Sequence, residues 1–124
     1  MTNPGAKSGS DALIPAATIL LLRDGAVGIE VFMVVRHHQI DFASGALVFP
    51  GGKVDALDRE AHVRARVDGA EGLDDWEFSM RVAAIREAFE ESGVLLARSE
   101  QTGALIDAAR LKTLEHYRDP LNRG

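Results

Sequence analysis

Glu87, Glu90 and Glu91 sit together in the segment Arg86-Glu87-Ala88-Phe89-Glu90-Glu91-Ser92-Gly93. At about 100° per residue, a helix through this segment gathers all three within about one third of its circumference. Phe78, Val82, Ile85 and Phe89 make an apolar stripe on the opposite side. Glutamates on one face of a helix are usually a solvated surface, but two features argue otherwise here. All three stand in the last two turns, where the helix dipole disfavours each negative charge by about 0.3–1 kcal/mol. Glu87 and Glu91 are also a like-charged i, i+4 pair, which costs about 0.2–0.5 kcal/mol more. Arg86, four residues before Glu90, is the one attractive partner at that spacing. Local rules broken in this way mark a functional site. Clustered carboxylates without a neighbouring lysine suit a hard divalent cation, Mg²⁺ or Mn²⁺, which takes oxygen ligands.

Several elements must position this acidic face. The helix that carries it should begin near Asp74 or Asp75, either of which can cap it, and stop at Gly93. Trp76, Met80, Ala83 and Ala84 continue the acidic side towards the helix start, as the floor of a cavity would, with Trp76 read as a packing residue. Upstream, Ala16 to Arg23 reads as a buried strand, and Ile29 to Arg36 as a second that forms a hairpin with it. Residues 37–45 read as a loop, followed by a short apolar stretch from Ala46 to Phe49. Pro50-Gly51-Gly52 then marks a turn, where the backbone takes positive φ or approaches something closely. A short helix is expected from Asp58 to Asp68. Val94 to Ala97 is a candidate strand, and Gln101 to Tyr117 an amphipathic helix ended by Pro120.

With 124 residues, 46% of them hydrophobic, the chain suits one small domain. A flexible leader is expected over residues 1–13, rich in Gly, Ser, Pro and Asn, with a single domain over 14–124. The longest apolar run, Ala16 to Leu22, falls short of the ~20 residues of a membrane helix and has no signal-peptide features. Absence of cysteine excludes disulfides, thiolate metal sites and thiol nucleophiles, and makes a cytoplasmic location the default. A formal net charge of −5 argues against a nucleic-acid polymer as partner. It also means that a phosphorylated small molecule would need a cation to bridge the two negative charges.

The segment Arg86 to Val94 resembles the second half of the Nudix box, G-x5-E-x7-R-E-U-x-E-E-x-G-U with U a bulky apolar residue. Ala88 is small for its U position. The first half can be placed in two ways. An unbroken box would start at Gly72, with Phe78 where the glutamate belongs. A split box would start at Gly52, with Asp58 replacing the glutamate and Arg59 to Phe78 inserted. The split register is preferred, because Phe49-Pro50-Gly51-Gly52 resembles the strand end that leads into many such boxes. An insertion at this point resembles the coenzyme A diphosphatase-like subgroup. Arg36, Gly45 and Phe49 to Gly52 keep the spacing of that subgroup's upstream signature, while Phe32-Met33-Val34, His37 and Asp41 depart from it.

The resemblance implies an α/β (α+β) fold, a Nudix-type α/β/α sandwich with a mixed sheet, here short on its C-terminal side. It implies Mg²⁺- or Mn²⁺-dependent hydrolysis of a nucleoside diphosphate linked to another moiety, of coenzyme A, dinucleotide or nucleotide-sugar type. Glu87, Glu90, Glu91 and the Gly51 carbonyl would hold the metal. Glu90, Glu91 and Arg86 would serve catalysis, with a glutamate as base and Arg86 orienting the acids. Arg36, Gly52 and His37 would meet the substrate, although an ordinary surface role for His37 is the simpler reading. His62 and His116 are expected to be chemically idle. A small-molecule diphosphate is the implied partner, a homodimer is admitted, and neither nucleic acid nor membrane is expected. Two rival readings remain: a catalytically inactive module that binds metal or nucleotide, and an interaction module whose glutamates serve solubility.

Overall fold

The computed structural model describes residues 12–36 and 45–123. Residues 1–11 of the expected leader, and His37, His38 and Asp41, lie outside the described residues.

Six short strands form three antiparallel pairs. Strand β1 (Ala16–Thr18) pairs with β6 (Gly51–Lys53), setting Ala17 opposite Gly52 and Thr18 opposite Gly51. Strand β2 (Leu22–Asp24) pairs with β3 (Ile29–Val31) across a turn in which the Gly25 N–H donates to the Gly28 carbonyl at 2.8 Å. Strand β4 (Val34–Val35) pairs with β5 (Leu47–Val48), and reciprocal bonds between Arg36 and the Gly45-Ala46 segment continue that ladder. The α+β class expected from the sequence is the class observed. The expected mixed sheet is not seen among the described residues, where the three strand pairs are separate and all antiparallel.

Both long strands of the sequence reading are divided. The Ile19 N–H donates to the Pro50 carbonyl, whereas the Leu21 carbonyl accepts from Phe32. The chain therefore changes partner between β1 and β2, and likewise between β3 and β4. Burial is also less than expected, for Ala17 is the one buried residue of Ala16 to Arg23. The Gly51-Gly52 pair is a strand and not a turn. What demands glycine there is close approach: a Cβ on Gly51 would collide with the Ala17 carbonyl oxygen, and one on Gly52 with the Glu87 carboxylate.

A 3-10 turn at Ala56–Arg59 follows β6. It is closed by a reciprocal cap in which the Asp55 carboxylate accepts from Leu57 N–H and the Asp58 carboxylate accepts from Asp55 N–H. Helix α1 (Ala61–Arg64) is all that forms of the longer helix expected there. Helix α2 (Asp75–Ser92) has the ends that the sequence foretold. The Asp74 side chain accepts from the Glu77 N–H at 2.8 Å, and Gly93 ends the helix at φ 77°.

The rest departs from expectation. Val94–Ala97 forms no strand, and the nearest pairing is an isolated bridge between Arg98 and Leu105. The last helical region comprises α3 (Ala108–Leu114), a 3-10 turn (Glu115–Tyr117) and α4 (Arg118–Arg123). Pro120 lies in the first turn of α4 and does not terminate a helix, because a first-turn residue needs no N–H for the ladder.

Helix α2 is the centre of the packing and lies against β1, β6, the Ala56–Arg59 turn and α4. Of the expected stripe Phe78 and Phe89 are buried, at 0% and 3% exposure, while Val82 and Ile85 are half-buried, and Ala83 and Ala88 are fully buried too. The helix is thus enclosed over more than one face, and its acidic side is packed near its C-terminal end. Trp76 contradicts its reading as a packing residue, being 60% exposed. Arg64 holds the start of the helix instead. Its guanidinium lies 4.1 Å from the centre of the Phe78 ring and binds Asp75 at 3.0 Å and the Leu73 carbonyl at 3.2 Å.

Candidate functional site

Arg86 organises the acidic end of α2. Its Nε donates to Asp58 Oδ1 at 2.8 Å and its Nη2 to Asp58 Oδ2 at 3.0 Å, a bidentate pair. Nη2 also donates to the Lys53 carbonyl at 2.9 Å. Nη1 reaches Glu87 Oε1 at 3.1 Å and Glu90 Oε1 at 3.0 Å. Every N–H of the guanidinium fork therefore has an acceptor in reach, on β6, on the turn after it or on α2. The Asp58 side chain is 3% exposed, and this burial makes its pairing with Arg86 strict, since a lone buried carboxylate would be costly. Hydrogen bonding to Asp58, with further support from Glu90, outweighs burial and raises the Arg86 pKa well above its ordinary value.

The carboxylates differ in their surroundings. Glu90 is nearly buried; desolvation pushes its pKa up and the bond from Arg86 pulls it partly back. Glu91 is also raised, first by desolvation and then by Glu87 and Glu90, while the Gly51 N–H and Arg36 oppose the shift. The Gly51 N–H points at Glu91 Oε2 from 3.4 Å, and the absent Cβ of Gly52 leaves room for Glu87. An open cavity of about 970 Å³ is bounded by Glu87, Glu90 and Glu91 on one side. Gly51, Gly52 and Arg36 line it as well, with Val35, Leu47 and Phe49 supplying apolar wall.

Of the residues singled out in the sequence, Arg36, Gly51, Gly52, Arg86, Glu87, Glu90 and Glu91 are thus brought together. His37 lies outside the described residues. The glycines beside the acids are those of the Phe-Pro-Gly-Gly segment. A Cβ on Gly72 would meet open space, so Gly72 is not the glycine against the carboxylates. Two partners escaped the sequence reading: the Lys53 carbonyl, and Arg118, which binds the Glu90 carbonyl from 28 residues downstream. Asp58 was legible only as the acid at the box's glutamate position, and its pairing with Arg86 needed the fold.

In kind, the donors fit a hard divalent cation: three carboxylates face one cavity, and two have pKa values raised by burial and like charge, a shift that a nearby cation would oppose. In arrangement they do not yet converge. Among the described residues, no group of three or more acidic or histidine side chains is placed as a ready ligand set. Arg86 draws Glu87 and Glu90 to itself, although each carboxylate oxygen has a second lone pair to offer.

The fold and site together define an α+β domain with an arginine-ordered acidic helix beside a glycine strand. The chain is similar to the crystal structure of a Nudix hydrolase from Alicyclobacillus acidocaldarius, with 31% identity and a TM-score of 0.64. The match covers 94% of this chain and 57% of that one, so the chain spans just over half the length of that protein. No family model matches the chain. Among the described residues, no helix is long and apolar enough to cross a membrane.

Proposed function

We propose that this chain is the box-bearing part of a Nudix hydrolase that cleaves a diphosphate linkage in a nucleoside diphosphate joined to another moiety. The observation that carries this reading is that Glu87, Glu90 and Glu91 all line the one cavity that Gly51 and Gly52 also border. Similarity to a Nudix hydrolase over 94% of the chain supports it. Glu87, Glu90, Glu91 and the Gly51 carbonyl would hold Mg²⁺ or Mn²⁺. Such a cation neutralises diphosphate charge and lowers the pKa of bound water.

The chain's own residues supply the rest. Arg86, tied to Asp58, fixes the rotamers of Glu87 and Glu90, so the acids are positioned before substrate arrives. Glu91 is the acid that Arg86 does not bind. With its carboxylate free of Arg86 and its pKa raised by burial, it would serve as base for a proton from water, held at a carboxylate oxygen. Arg36 brings positive charge to the same cavity and would meet a phosphate oxygen, with Gly52 leaving room for the substrate to approach. The apolar wall of Val35, Leu47 and Phe49 suits the moiety beyond the diphosphate.

Coenzyme A and its thioesters head the substrate panel because Arg36, Gly45 and the Phe-Pro-Gly-Gly strand keep the subgroup's spacing. NADH and ADP-ribose belong in the same panel because Asp41 replaces an arginine of that signature. Assayed in the full-length protein with Mg²⁺, cleavage into two phosphorylated products is the expected result. The arrest of Glu87 and Glu90 by Arg86 favours one other reading, a binding-only module. Metal binding without turnover of any diphosphate would select that module.

A further inference from the structure

We propose that Arg118 is a positioning residue for the carboxylates of α2, a role that rests on the metal-site reading above. Three glutamates occupy the last two turns of this helix, and its last turn holds no basic residue. A helix end carries partial negative charge and carbonyls without partners. The main-chain ladder closes when the Gly93 N–H donates to the Phe89 carbonyl at 2.8 Å. The next amide, Val94, is diverted to the Ser92 hydroxyl at 3.3 Å, and that hydroxyl donates to the Ala88 carbonyl at 2.6 Å. The ladder therefore stops short of the Glu90 carbonyl. Arg118 meets that carbonyl from the first position of α4, with Nη2 at 3.1 Å and Nε at 3.3 Å.

Charge and geometry coincide at this contact. The guanidinium brings a permanent positive charge to the end of α2 where the sequence of the helix itself supplies none. Its fork grips the main chain of a residue whose side chain faces the cavity, so the turn bearing Glu90 and Glu91 is fixed from behind. Arg118 does not line the cavity, and its Nη1 lies 3.5 Å from Glu115, which does not line it either. It therefore acts through Glu90 and not on substrate. In this way the segment after the box compensates the charge pattern that looked uncompensated within α2.

The test is a Mn²⁺ titration of the 124-residue chain, read by thermal shift and by the spin-resonance signal of free Mn²⁺, with hydrogen exchange at Gly93 as a second readout. Arg118→Gln should weaken Mn²⁺ binding by about tenfold, the scale of losing a charged hydrogen bond, and speed exchange at Gly93. Arg118→Lys keeps the charge without the fork and should lose only about threefold. Glu115→Gln, which spares the Glu90 contact, should bind within about twofold of wild type. A purely structural arginine would lower the metal-free melting temperature and leave Mn²⁺ affinity within about twofold, which overturns the proposal. If Arg118→Gln does not fold, a folded Arg118→Lys with wild-type affinity and wild-type exchange overturns it equally. Wild-type protein that binds no Mn²⁺ removes the metal-site reading itself, and this role with it.

Discussion

Around Arg86 nearly every charged group is matched, whereas the two hairpins β2–β3 and β4–β5 leave apolar side chains in solvent. Asp58, Glu87, Glu90 and the Lys53 carbonyl all meet one guanidinium within a packed helix end. On the hairpins Leu22 and Ile29 are 60% and 72% exposed, and Val35 and Leu47 face each other across a pair while both remain exposed. The difference shows where the sequence spends its specificity. Position is enforced at the acidic end of α2 by a polar network that tolerates little error. The hairpins supply backbone that brings Arg36, Val35 and Leu47 to the cavity wall, and contribute little burial of their own.

Substitutions in the two regions should therefore differ in cost. Asp58→Ala should destabilise by about 3–5 kcal/mol, because it leaves Arg86 partly unpaired against a buried site. Phe78→Ala, beneath the start of α2, should cost a similar ~3–5 kcal/mol. Denaturant titration measures both. Gly51→Ala should come next, at about 1–3 kcal/mol, since its Cβ meets main chain that cannot swing away. Gly52→Ala meets the Glu87 carboxylate instead, which can give way only by leaving Arg86, and should weaken Mn²⁺ binding more than it lowers stability.

The contrast in Gly51 and Gly52 also shows what the sequence could and could not reveal. Both glycines were legible as points of close approach, but the strand they form needs Ala16–Thr18, more than 30 positions away. Helix α2 was legible at both ends because Asp74 and Gly93 act locally. Arg86, Glu87, Glu90 and Glu91 were legible from their spacing and from the box they resemble. Arg118 was not, because its bond to Glu90 crosses 28 residues and follows no periodicity. Pro120 misled for the opposite reason, since a proline stops a helix only where its missing N–H is needed.

A smaller effect concerns pH. The pKa of Glu91 is raised in the folded chain, chiefly by burial. A carboxyl raised on folding favours the native state below its unfolded pKa, and that contribution is lost as pH rises through the folded value. Glu91→Gln should therefore raise the metal-free melting temperature at neutral pH and leave it unchanged below about pH 4, where the wild-type acid is protonated in both states. Melting curves across that range check the sign, and an unchanged neutral value would show that the site does not strain its acid. The smallest change belongs to the hairpins. Leu22→Thr and Ile29→Thr should each shift stability by less than about 0.5 kcal/mol, and a loss of 2 kcal/mol or more would mean that these faces are buried in solution.

The most direct test of the account is the thermal response of the 124-residue chain to Mn²⁺, measured beside a Glu90→Gln, Glu91→Gln double variant. Binding to the native state at about 100 times the dissociation constant adds about 2.7 kcal/mol. For a chain of this size that corresponds to a rise of roughly 10 °C in melting temperature. Such a rise is expected in the wild type and almost none in the double variant. An equal rise in both would place the metal elsewhere and contradict the assignment of these glutamates.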